Sequence, residues 1–339
     1  MRVALGCVLL ALVILFSGAW PAPKAAAREF TSVERLMQWT FTYRQRPEPG
    51  RLPEAVRAMF ELGLLDDEEK SGYFVGFVAG VLSKNPKSTP SLIERMLPLP
   101  AKEQSIVVRA IAYSELASWP ELLMRFAPRV PERRILVDEF LAGDEPVLID
   151  APLDSDAVVY ALWGFYVATG DERHVRRVIS ALAWTDGGEP GPFSWARIES
   201  TLGLDDSEEQ QTLLERAVIA SIAKWTLVSY AEHHRELVEL YRAEAPLHGE
   251  PVRTELAEVL AASERFEADR VRKEEAARIE ALKQRLARTG SYGSRTAYAS
   301  SVGIATACVI AGAVGHPEIA IPCVVTGALY SGAMKIFEW

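Results

Sequence analysis

The sequence predicts an all-α protein: an irregular array of helical hairpins, then a long charged helix, then a C-terminal hydrophobic helical hairpin. Three observations predict it. From Thr31 to about Arg288 apolar residues recur at three and four positions, as in "VERLMQWTF", "AVRAMFELGLL", "VVYALWGFYVATG" and "VRRVISALAW", the spacing that lines one face of a helix. Alternating strand patterns are scarce. Breakers fall regularly between the runs, at Pro47 and Pro49, Pro86 and Pro90, Pro98 and Pro100, Pro128 and Pro131, Gly143 to Pro146, Gly187 to Pro192 and Pro246 to Pro251, which leaves helices of about 10 to 20 residues with short connections.

The first element is a leader. Residues 1–27 give Arg2, an apolar run from Val3 to Phe16, then small residues and prolines ending in Ala25, Ala26 and Ala27. That order is a secretory signal peptide cleaved before Arg28, and the apolar run is short of the ~20 residues that span a bilayer. Cys7 precedes most of the apolar run, the wrong place for lipid attachment, and leaves with the leader.

The array follows, over 28–250. Ser32 stands before "VERLMQW" as an N-cap, and Thr89 is followed by Pro90 at the first helical position, where the missing N–H costs nothing. Four stretches share one design: "VAGVLSKNPKSTPSLIERML", "VVRAIAYSELASWPELLMRF", "GFYVATGDERHVRRVISAL" and "TLVSYAEHHRELVELYR". Each is a helix ending in small or aromatic residues, a short polar turn, and a helix opening with Leu or Val. Small residues let the two helices approach, and the second buries its aliphatic face against the next pair. The spacing is irregular, so the array is degenerate.

On these residues, above all "ALWGFYVATGDERHVRRVISAL" from Ala161 to Leu182, the chain resembles tetratricopeptide-like and HEAT-like helical proteins. It also resembles a group of uncharacterised exported bacterial proteins that combine an LWGxYxATG helical pair with a cysteine-bearing hydrophobic tail. The resemblance implies an architecture and transfers no functional residue.

Residues 251–295 read as a long helix and a flexible joint. Leu256, Val259, Leu260 and Phe266 begin an apolar stripe, which Ile279, Leu282 and Leu286 continue through the charged run Glu264 to Arg288, and "TGSYGS" ends the helix.

Residues 296–339 form the hydrophobic hairpin. There is no charge from Thr296 to Gly315 or from Ile319 to Met334. Small residues four apart, such as Ala311 and Gly315 or Ala328 and Gly332, suit close packing in a bilayer and equally in water. Charge placement opposes an inner-membrane hairpin: Glu318 sits at the tip, whereas Arg285, Arg288 and Arg295 flank the exported side. Cys308 and Cys323 lie symmetrically about Gly315 and His316, so a hairpin sets them opposite each other, and export supplies the oxidant. A disulfide closing such a loop contributes about 3 kcal/mol.

The chemistry-bearing motifs are weak. Ser221 and Lys224 in "SIAK" have the S-x-x-K spacing, but no K-T-G follows. His233 and His234 are adjacent, so on a helix they diverge and do not share a metal. The acidic stretches "DDEEK" and "LDDSEEQQ" serve helix N-termini. There is no G-x-G-x-x-G, no P-loop, no G-x-S-x-G and no calcium loop, so no cofactor and no metal site is expected. The formal charge of −9 excludes a phosphate-backbone binder of nucleic acid.

Trp119, Trp163, Tyr166, Trp184 and Trp225 are the candidate binding aromatics, since concave faces of helical arrays bind through such side chains. The expected function is binding or scaffolding of a protein or peptide in the cell envelope, without catalysis, with membrane contact through 296–339. An enzyme with an unrecognised site, marked by a deep polar pocket around His174, His233 or Ser221, is the alternative, as is a secreted protein whose tail packs on its own body.

Overall fold

The computed structural model describes residues 30–66, 71–184 and 207–288. The leader, the joint after Arg288, the hairpin and the Cys308–Cys323 pair lie outside the described residues. Within them the fold is all-α, with thirteen helices and no strand.

The helices are α1 Val33–Thr42, α2 Leu52–Glu61, α3 Gly72–Lys84, α4 Thr89–Met96, α5 Gln104–Ala112, α6 Trp119–Phe126, α7 Arg134–Ala142, α8 Asp156–Thr169, α9 Glu172–Ser180, α10 Ser207–His233, α11 Glu236–Glu244, α12 Glu250–Arg265 and α13 Ala268–Arg288. Short 3-10 turns join several of them. The four hairpin stretches are α3–α4, α5–α6, α8–α9 and α10–α11. Ser32 caps α1, its hydroxyl accepting from the Arg35 N–H at 3.4 Å. Thr89 opens α4 with Pro90 behind it, and its hydroxyl donates to the carbonyls of Leu82 and Asn85, folding α4 back along α3.

The centre is a pair of helices distant in sequence. Every residue of α3 from Gly72 to Leu82 and of α8 from Val159 to Ala168 is buried, as a helix apolar all round must be. α3 packs along α8 on its glycines. A Cβ at Gly76 would lie 1.9 Å from the Ala161 carbonyl oxygen, one at Gly72 2.3 Å from that of Ala157, and one at Gly164 2.0 Å from that of Tyr73. The small residues expected to tighten each hairpin thus join two different hairpins. Without Cβ atoms the two backbones meet directly, with no side chain between them at these positions.

α8 also carries the link to α10. The Trp163 ring stacks on Tyr230 with centroids 4.1 Å apart, and its Nε1 donates to Thr226 Oγ1 at 3.0 Å.

Beyond α11 the expected single charged helix is two. α12 ends at Phe266, which adopts a left-handed conformation at φ 58°, and α13 starts two residues later. The Phe266 N–H bonds back to the Ala262 carbonyl, and Glu232 of α10 caps the new helix by accepting from the Ala268 N–H at 3.0 Å. The turn lets both helices lie on α10, where Leu256, Val259, Ile279 and Leu282 join the main core. Among the described residues no helix is long and apolar enough to cross a membrane.

Candidate functional site

Three polar clusters and one cleft gather the residues that could carry chemistry. Around the S-x-x-K pair, Lys224 is buried on α10, and its Nζ lies 2.6 Å from Glu255 Oε2, 2.6 Å from Glu258 Oε2 and 3.6 Å from Glu275 Oε1. Burial alone would push the Lys224 ammonium toward neutrality, but Glu255 and Glu275 outweigh it and hold its pKa above the ordinary lysine value. Burial raises the Glu255 carboxyl, against the pull of Lys224. Ser221 donates its hydroxyl hydrogen to Glu275 Oε2 at 2.8 Å. A serine engaged with a carboxylate beside a protonated lysine is not a nucleophile with its base. The cluster clasps α12 and α13 onto α10.

The two histidines separate. His233 is exposed and lies against Phe41, whereas His234 is buried against Tyr166 and Tyr230. Burial drives His234 down to about 4, so it is neutral at pH 7. Its Nδ1 lies 3.7 Å from Glu236 Oε1, which pairs with Arg44 and accepts the Tyr166 hydroxyl at 3.3 Å. Gly170, at φ 73°, sits under Arg44, and a Cβ there would lie 2.9 Å from Arg44 Nη1.

His174 on α9 is fully buried, stacked on Phe165 at 4.0 Å, with Nε2 3.3 Å from Glu115 Oε1. The His174 contact, with help from Arg173, holds the Glu115 carboxyl below the ordinary range despite burial. Arg173 bridges Glu115 and Asp171 at 2.6 Å each. Glu115 itself is left-handed, at φ 54°. No cavity among those described is lined by His174, His233 or Ser221. No group of three metal-ligating side chains occurs among the described residues.

The cleft lies elsewhere. About 530 Å³ opens between the loop before α8, the end of α9 and α10, a volume suited to a small ligand or a few residues of peptide. Its apolar wall is Trp184 with Leu153 and Ile219. Two arginines enter it. Arg216 holds its guanidinium 5.8 Å from the Trp184 ring, and Arg177 donates an Nη2 hydrogen to the Ala151 carbonyl at 3.1 Å. Asp154, Ser180 and Glu215 complete the polar lining. A second cavity of about 210 Å³ beside Gly72, Arg109, Tyr113 and Ser155 is smaller and abuts the α3–α8 contact.

Of the five candidate aromatics, Trp163, Tyr166 and Trp225 are core side chains, at most 3% exposed. Their contacts are internal, and they present no surface to a partner. Trp119 is half-buried, its ring 6.5 Å from Phe140. Trp184 lines the cleft. Sequence reasoning did not single out Arg177, Arg216 or Asp154. The only signal, for Arg177, was the basic run "RHVRR" immediately before a buried Val178, which marks a solvated helix face just as well. No family model, curated protein or solved structure matches this chain.

Proposed function

We propose that the protein is an exported binding or scaffolding protein of the cell envelope, kept at the membrane by residues 296–339, and that the Trp184 cleft receives a segment of its partner. The leader-like 1–27 and the uncharged arms of the tail support export and membrane contact. The resemblance to exported proteins with an LWGxYxATG segment belongs to the same proposal.

The observation that carries the binding reading is the cleft: one large aromatic, two cations and two carboxylates on a rigid helical frame. Trp and Arg in a concave site are the side chains on which interface energy concentrates. By contrast, Lys224, Ser221, Glu236 and Arg173 hold neighbours inside the fold, which supports a structural role for each cluster.

The test is photo-crosslinking in the producing cell. A benzoylphenylalanine in place of Pro152, an exposed residue on the rim, is expected to give a discrete adduct that the same probe in place of Ile135, 76% exposed, does not give. Equal labelling at both positions counts against the cleft as the binding site.

A further inference from the structure

The charges of the cleft say which part of a partner fits it. Arg177 forms no ion pair among the described residues, and the Ala151 carbonyl is the acceptor it has. A half-buried guanidinium without a counter-ion is an incomplete arrangement, because a buried charge is costly unless paired. The other arginines of α9 are paired: Arg173 holds Glu115 and Asp171, and Arg176 holds Glu172 and Glu244. Asp154, an exposed carboxylate, lines the same cleft and forms no ion pair among the described residues. The apolar wall of Trp184, Leu153 and Ile219 stands beside them.

A ligand matching this arrangement offers a carboxylate, an N–H donor a few bonds away, and an apolar side chain. The last residue of a polypeptide has all three on one Cα. We propose that the cleft captures the C-terminal residue of a partner chain, its free carboxylate on Arg177, its amide N–H on Asp154 and its apolar side chain on Trp184. Arginine suits the first task because its planar fork matches a carboxylate in two parallel hydrogen bonds, and end-capture of this kind is a recurring mode of peptide recognition. The tie to Ala151 fixes the guanidinium before the ligand arrives, so less order is lost on binding. This inference rests on the binding reading of the cleft.

The experiment is calorimetric titration of the full chain with three probes: acetyl-Ala-Ala-Leu with a free carboxylate, the same peptide as its C-terminal amide, and free leucine. The acid is expected to bind at least tenfold more tightly than the amide, and more tightly than free leucine. Arg177→Gln is expected to erase the acid-over-amide preference. Because that change also removes the bond to Ala151, Ser180→Glu is the second variant: it sets a carboxylate in the cleft and is expected to weaken the acid tenfold while leaving the thermal midpoint near that of the parent. Equal binding of acid and amide, no binding of the acid, or tighter binding of leucine overturns the proposal. A discrete adduct at position 152 together with equal acid and amide binding would leave the binding reading standing and remove this one alone.

Discussion

Gly76→Ala tests the contact on which the fold turns. In a free helix the change is favourable by about 1 kcal/mol, since alanine is the better helix former. Here the new methyl would lie 1.9 Å from the Ala161 carbonyl oxygen, against an ordinary carbon–oxygen contact beyond 3 Å. The obstacle is backbone of a helix buried on all sides, so no side chain can turn aside, and α3 and α8 must part by more than 1 Å. Overpacking of a tight core costs about 1–3 kcal/mol, and this site, with no flexible neighbour, belongs at the top of that range. Less the helix gain, the net loss is about 2 kcal/mol, a fall of about 4–8 °C in midpoint for a domain of this size. Gly50→Ala is the control, with nothing within 4 Å of its Cβ, and is expected to stay within about 0.5 kcal/mol of the parent. Urea unfolding of the two full-length variants, followed by helical circular dichroism, reads both. A Gly76→Ala variant as stable as the parent would refute the close contact.

Other outcomes follow from the polar clusters and the tail. His234 titrates near 6.5 unfolded and at about 4 folded, so the unfolded chain binds the extra proton: stability is complete above pH 6.5 and falls by about 1.4 kcal/mol per unit toward pH 4. His234→Gln is expected to flatten that part of the stability–pH curve, and an unchanged slope contradicts the assignment. Lys224→Met leaves Glu255 buried without its cation, whereas Glu275 keeps Arg278 at 3.3 Å, for a loss of about 3–5 kcal/mol at pH 7. Protonation relieves buried carboxylates, so the deficit is expected to shrink at pH 5; a loss below 1 kcal/mol, or one independent of pH, argues against the clasp. Thiol titration of denatured protein recovered from the envelope is expected to find Cys308 and Cys323 reactive only after reduction, and thiols free without reductant contradict the disulfide.

The helices and their hairpins were legible because their signals are local. Ser32, Thr89–Pro90 and Gly143 mark ends by chemistry that acts within one turn. The partner of α3 was not legible. Gly72, Gly76 and Gly80 announce a close approach, but α3 and α8 are apolar all round and so have no face whose direction a periodicity could give. The break at Phe266 was hidden for the opposite reason: "SERFEADR" contains no glycine or proline, and a phenylalanine takes the left-handed conformation only where tertiary packing imposes it. Its ring stays exposed, under the Arg235 guanidinium at 4.8 Å. The candidate site was half legible. Trp184 stood out as an aromatic, while Arg177 resembles any arginine on a solvated face until the loop at Ala151 and Asp154 is folded against it.

The most direct test of the binding account is the yield of the adduct at position 152 in cells carrying either native Trp184 or Trp184→Ala. The Trp184 side chain forms the apolar wall of the cleft and is only partly buried, so its removal is expected to leave the frame folded. The account predicts that the adduct is lost or reduced at least tenfold in the Trp184→Ala chain while the protein accumulates to the same level. An adduct of undiminished yield would contradict it.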